Sequence, residues 1–126
     1  MSSIRTFALV AVACFALVFA CSTPSIPIPP PERAAITFDH DEASGTATFA
    51  YTIPRGDFAF AVVYVLNRDK GEGTITSANG DGTVDPTVAF SADVGDQILV
   101  TFDVGDQLAS ICVMLVDGTP VVECGF

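Results

Sequence analysis

Cysteine is the residue type in this chain best suited to covalent chemistry: a thiol can be acylated, thioether-linked to lipid, or oxidised to a disulfide. There are four: Cys14, Cys21, Cys112 and Cys124. Cys14 lies inside an apolar run, Cys21 immediately follows it, and Cys112 and Cys124 flank the turn residues Asp117-Gly118-Thr119-Pro120 near the C-terminus. Oxygen ligands are the second chemical resource. Asn79-x-Asp81-x-x-x-Asp85 partly matches a calcium loop, and Asn79, Asp81 and Asp85 are the weak metal candidates. An EF-hand would need a Glu at the twelfth position, where this chain has Phe90. Asn-Gly and Asp-Gly are equally what a tight turn demands. His40 sits between Asp39 and Asp41, but no second His exists to complete a site. A cysteine nucleophile needs a neighbouring base, and there is neither a phosphate-binding Gly-rich loop nor a His-Glu-x-x-His motif. No enzymatic activity and no cofactor are expected.

The N-terminus sets the context for the cysteines. Arg5 and the amino group precede the unbroken apolar run Phe7 to Ala20. Its 14 residues fall short of the ~20 that span a bilayer and match the apolar region of a signal peptide. Val18-Phe19-Ala20-Cys21 resembles the lipobox of bacterial lipoproteins, with Phe19 bulkier than the usual small residue. The resemblance implies a signal peptide over 1–20, lipidation of Cys21, and membrane attachment through that lipid. Ser22 resembles an outer-membrane sorting signal. Val18-Phe19-Ala20 also satisfies the rule for ordinary signal-peptide cleavage, which would give a secreted or periplasmic form. After cleavage the chain keeps Cys21, Cys112 and Cys124, an odd count that thioether lipidation of Cys21 resolves into one pair.

Loss of Arg5 leaves four basic residues against fifteen acidic ones, a net charge of −11. Such a chain does not bind nucleic acid through phosphate neutralisation, and it is repelled by anionic headgroups. Residues 21–33 hold five prolines between Ser22 and Arg33. That density favours polyproline II and a semi-rigid linker reaching up to roughly 35 Å at ~3.1 Å per residue.

From residue 34 to 126 the apolar period is two. Ile36 and Phe38 start a first strand, and Ala47, Phe49, Tyr51 and Ile53 alternate with threonines in a second. Phe58 to Leu66 is apolar on both parities, which predicts a central strand covered on both faces. Further strands are expected at Thr74 to Ser77, at Val84 to Phe90 with Pro86 marking an edge or bulge, around Ile98 to Phe102, at Ile111 to Val116, and at Val121 to Cys124. No stretch shows a 3.6-residue apolar stripe. Phe49, Tyr51, Phe60, Val62, Val100, Phe102, Ile111 and Val113 are the expected core. Asp93-Val94-Gly95-Asp96-Gln97 recurs as Asp103-Val104-Gly105-Asp106-Gln107, two turns expected at opposite ends of the strand between them.

About seven to eight short strands at regular spacing predict an all-β antiparallel sandwich. Val63-Tyr64-Val65-Leu66-Asn67, Asn79-Gly80-Asp81-Gly82-Thr83 and the stretch Val94 to Phe102 resemble bacterial immunoglobulin-like, carboxypeptidase-regulatory-like domains. The resemblance implies an immunoglobulin-like fold and no activity. It departs from antibody domains in having no Trp. If Val116 and Pro120 face each other across Asp117-Gly118-Thr119, Cys112 falls directly opposite Cys124, within disulfide reach. A two-residue turn would put the two sulfurs on opposite faces. The function expected is a non-enzymatic envelope lipoprotein of the outer membrane presenting a small binding or spacer module. The alternative is a calcium- or ligand-binding accessory lipoprotein using its acidic loops.

Overall fold

A computed structural model describes residues 26–116 and 121–125. The signal-peptide region, Cys21, and the turn 117–120 lie outside the described residues.

The period-two segments form eight strands among the described residues: β1 Ile36–Asp41, β2 Thr46–Tyr51, β3 Val62–Asn67, β4 Glu72–Ser77, β5 Phe90–Ser91, β6 Gln97–Asp103, β7 Leu108–Met114 and β8 Val122–Glu123. They make two antiparallel sheets, one ordered β1-β2-β5 and the other β4-β3-β6-β7-β8. The two inner faces pack together as a sandwich. β2, β3, β6 and β7 each bury one parity, because successive side chains of a strand point to opposite faces. β6 buries Ile98, Val100 and Phe102, and β7 buries Ala109, Ile111 and Val113.

An aromatic cluster closes one end of the core. Phe58 stacks on Phe102 with centroids 4.1 Å apart, and Tyr51 meets Phe102 edge-on at 5.1 Å. Offset-stacked and edge-to-face contacts of this kind contribute beyond area burial.

The run from Phe58 to Leu66 is not one strand. Gly56–Phe58 is a single 3-10 turn, and Phe60 takes a positive φ of 57°. The reversal resets the parity: Phe58 dips inward through the turn, and Val63 and Val65 point inward along β3. Phe60 is therefore 77% exposed and Val62 37% exposed, not core residues. Nor is β3 covered on both faces, since Tyr64 and Leu66 also face outward. An apolar run shows where hydrophobic residues are, but not where the backbone turns between them. The other six expected core residues are buried.

The stretch from Val84 to Phe90 follows β2 without forming a continuous strand. Val84 bridges Tyr51, Thr87 exchanges backbone and side-chain hydrogen bonds with Phe49, and Phe90 pairs with Ala47. Extra residues accumulate between these contacts, so the segment bulges around Pro86, which has no N–H to donate. The preceding turn needs its glycine: Gly82 has φ +84°, and a Cβ there would lie 1.9 Å from Arg55 O.

Candidate functional site

β7 and β8 bring the two C-terminal cysteines together. Val113 pairs with Glu123 and Met114 with Val122, and Cys124 N donates to Cys112 O at 3.0 Å. In this register Cys112 and Cys124 face each other, and their sulfurs are joined with Cα atoms 5.4 Å apart. Neither is a free thiol. The bond lies on the outer face of the five-stranded sheet, beside Leu99, and pins a strand only two residues long.

The oxygen candidates do not converge. Asp81 Oδ1 accepts from Thr83 N and Thr83 Oγ1, at 3.0 and 2.6 Å, and Asn79 Nδ2 donates to the same Thr83 hydroxyl. Those hydrogen bonds, the hydroxyl's first, hold the Asp81 carboxyl below its usual range. Its neighbour in the pattern, Asp85, is exposed next to Pro86. Among the described residues no three His, Cys, Asp or Glu side chains approach closely enough to share an ion. Asn79 and Asp81 are turn-formers tied to Thr83.

The two Asp-Val-Gly-Asp-Gln turns lie at opposite ends of β6 and do different things. At one end, the turn 93–96 meets the β3–β4 hairpin through Asn67, which is fully buried. Asn67 Nδ2 donates to Ser91 O at 3.0 Å and to Asp96 Oδ2 at 2.8 Å, while its Oδ1 accepts from Asp69 N and Lys70 N. Asp96 Oδ2 also accepts from Asp93 N, and Lys70 Nζ reaches Asp93 Oδ2 at 2.6 Å. Partial burial pulls the Asp96 carboxyl upward. The Asn67 and Asp93 hydrogen bonds, helped by the positive field of Lys70 and His40, outweigh that and hold it below its usual range. Lys70 is raised, chiefly by its hydrogen bond to Asp93. His40 packs alongside: Nε2 donates to Ala92 O at 3.1 Å, and Nδ1 is buried without a partner. This cluster ties the two sheets together at one end.

At the other end, the turn 103–107 holds the Pro-rich segment. Gln107 Oε1 accepts from Ile28 N at 2.8 Å, and Gln107 Nε2 donates to Ile26 O at 2.9 Å. Arg55 donates to Pro30 O and Pro29 O at 2.8 and 2.7 Å, with its guanidinium 4.2 Å from the Phe58 ring centre. Glu32 N donates to Tyr51 OH, and Pro31 is buried. The described part of this segment is thus a docked strap that adds no reach beyond the sandwich. Prolines lack N–H donors but keep their carbonyls, and Arg55 uses two of them. Composition alone points to polyproline II; it cannot show that a Gln and an Arg far along the chain face the strap.

Comparison with known proteins finds no match to any family model, curated protein or solved structure. Topology and packing define the class: a small all-β sandwich of two antiparallel sheets, consistent with an immunoglobulin-like fold.

Proposed function

We propose that this chain is a non-enzymatic lipoprotein of a bacterial cell envelope, anchored in the outer membrane by lipid on Cys21. It presents a bacterial immunoglobulin-like sandwich as a binding or spacer module. The observation that carries this reading is the Cys112–Cys124 bond. With Cys14 lost in the signal peptide, the bond leaves Cys21 as the one remaining thiol of the mature chain, and Cys21 sits directly after the lipobox-like Val18-Phe19-Ala20. A disulfide also suits an exported protein, because oxidising compartments are where such bonds persist. Several acyl chains on one cysteine, each buried methylene adding ~0.8 kcal/mol, would make attachment stable. The alternative accessory role for calcium draws no support from Asn79 and Asp81, whose Nδ2 and Oδ1 atoms are committed to Thr83 within the turn.

Metabolic labelling with an alkyne fatty acid tests the anchor. The wild type should be labelled and recovered with membranes, and Cys21→Ser should be neither. Equal labelling of Cys21→Ser would refute the proposal.

A further inference from the structure

Four large exposed apolar side chains, Ile26, Phe60, Val62 and Leu108, lie at one end of the sandwich, while Ile75, Val88 and Val94 are exposed elsewhere. Val62 and Leu108 both pair with Asp103, so the start of β3, the end of β6 and the start of β7 lie in one row. Leu108 is 67% exposed and Phe60, two residues before Val62, is 77% exposed. Phe60 lines a shallow cleft with Val62, Asp103, Val104 and Gly105. Its ring lies over Gly80, where a Cβ would come within 3.0 Å of the Phe60 ring tip. A positive φ on a bulky aromatic costs of order 1 kcal/mol, and here the strain holds an aromatic ring out in solvent.

The strap arrives at this same end. Gln107, adjacent to Leu108, grips it on both sides of Pro27, and Ile26 projects 87% exposed. Cys21 precedes Ile26 by five residues, which span at most about 18 Å. An anchor at Cys21 therefore holds this end, not the opposite one, next to the bilayer.

We infer that the β6–β7 end of the sandwich is seated on the lipid surface, with Phe60, Leu108 and Ile26 entering the headgroup region of an uncharged (zwitterionic) bilayer. The inference rests on the lipid anchor proposed above. Aromatic and aliphatic side chains partition favourably into that region. Asp57, Asp81, Asp103 and Asp106 share this end with Arg55, so an anionic surface is disfavoured. The opposite end carries the Asn67–Asp96–Lys70 cluster and remains in water.

The chain has no Trp, so a single introduced Trp reports its own depth. Lipidated Phe60→Trp, Leu108→Trp and Val94→Trp proteins, purified from membranes, would be reconstituted in phosphatidylcholine vesicles carrying brominated acyl chains. Val94→Trp is the control, because Val94 is exposed on the turn at the far end of β6. Emission from the Phe60→Trp and Leu108→Trp proteins should shift to the blue and be quenched, and emission from Val94→Trp should do neither. A high fraction of anionic lipid should weaken the quenching; strengthening would overturn the uncharged-surface assignment. Mass analysis of the Cys21 peptide accompanies each sample. Acylated Cys21 with Phe60→Trp and Leu108→Trp unquenched, or with Val94→Trp quenched equally, overturns the inference and leaves the anchor standing. A Cys21 peptide without acyl mass removes the anchor and the inference with it.

Discussion

Asn67→Ala should be among the most damaging polar substitutions in this domain. Asn67 is completely buried and makes four hydrogen bonds. The two it accepts, from Asp69 N and Lys70 N, lie at an exposed turn, where water can replace them at little cost. The two it donates are different. Removing Nδ2 strips the buried side of the Ser91 carbonyl and of a partly buried Asp96 carboxylate, and a hydrogen bond to a charged group contributes about 1.5–3 kcal/mol, a neutral one about 1. The expected loss is about 3 kcal/mol, or roughly 12–20 °C in melting temperature for a domain of this size. Urea unfolding followed by circular dichroism would measure it. The double variant Asn67→Ala/Asp96→Ala should be less destabilised than the sum of the singles by more than the ~0.5 kcal/mol scatter of independent sites. There is also a pH signature. Asp96 titrates below its unfolded value, so its stabilising contribution is present above the unfolded value and disappears as pH falls through the folded one. Asn67→Ala should flatten that acid-side loss. A change below about 0.5 kcal/mol, or strict additivity with Asp96→Ala, would refute the reasoning.

Phe58→Ala should cost about 3–5 kcal/mol as a buried aromatic deletion, since Phe58 stacks on Phe102 and is fully buried. Phe60→Gly should leave stability within about 1 kcal/mol of wild type, because losing an exposed ring is offset by relief of a positive φ; a loss as large as that of Phe58→Ala in the same urea titration would mean that Phe60 belongs to the core. The paired change Cys112→Ala/Cys124→Ala should cost about 3 kcal/mol by the loop-entropy relation for a closed loop of this length, the two cysteines being 12 apart in sequence. Two alkylatable thiols at Cys112 and Cys124 in denatured, unreduced wild type would sink the bond itself.

The architecture was legible where a single physical rule governed. Alternation in Ile36 to Phe38, Ala47 to Tyr51 and Ile98 to Phe102 is the direct trace of a half-buried strand, and those segments are β1, β2 and β6. The cysteine pairing was legible because hairpin register carries one turn's geometry outward residue by residue, and Cys112 does lie opposite Cys124. Legibility failed where the chain turned inside an apolar run. From Phe58 to Val62 every residue is apolar or small, so composition gave no sign that the backbone reverses at Phe60. A weak signal existed for Asn67: it shares the inward parity of Val63 and Val65, and a polar residue at the last inward position of a strand needs buried partners.

The repeated Asp-Val-Gly-Asp-Gln shows why a site is harder to read than a strand. Both copies bend around a positive-φ glycine, Gly95 and Gly105, but they already differ inside: in the first, Asp96 N donates to Asp93 O and Asp93 N to Asp96 Oδ2, whereas in the second Val104 N donates to Gln107 O and Gly105 N to Asp103 Oδ1. Their surroundings separate them further. β6 lies between β3 and β7, so its start meets the end of β3 and its end meets the start of β7. The first turn therefore finds Asn67, and Asp96 becomes an acceptor within a clip joining the sheets. The second finds the Pro-rich strap, and Gln107, whose counterpart Gln97 uses its own N–H to bind Asp69, becomes a clamp on Ile26 and Ile28. Identical residues at identical spacing thus yield different sites, and the difference is set by strand order, a property of pairings distant in sequence.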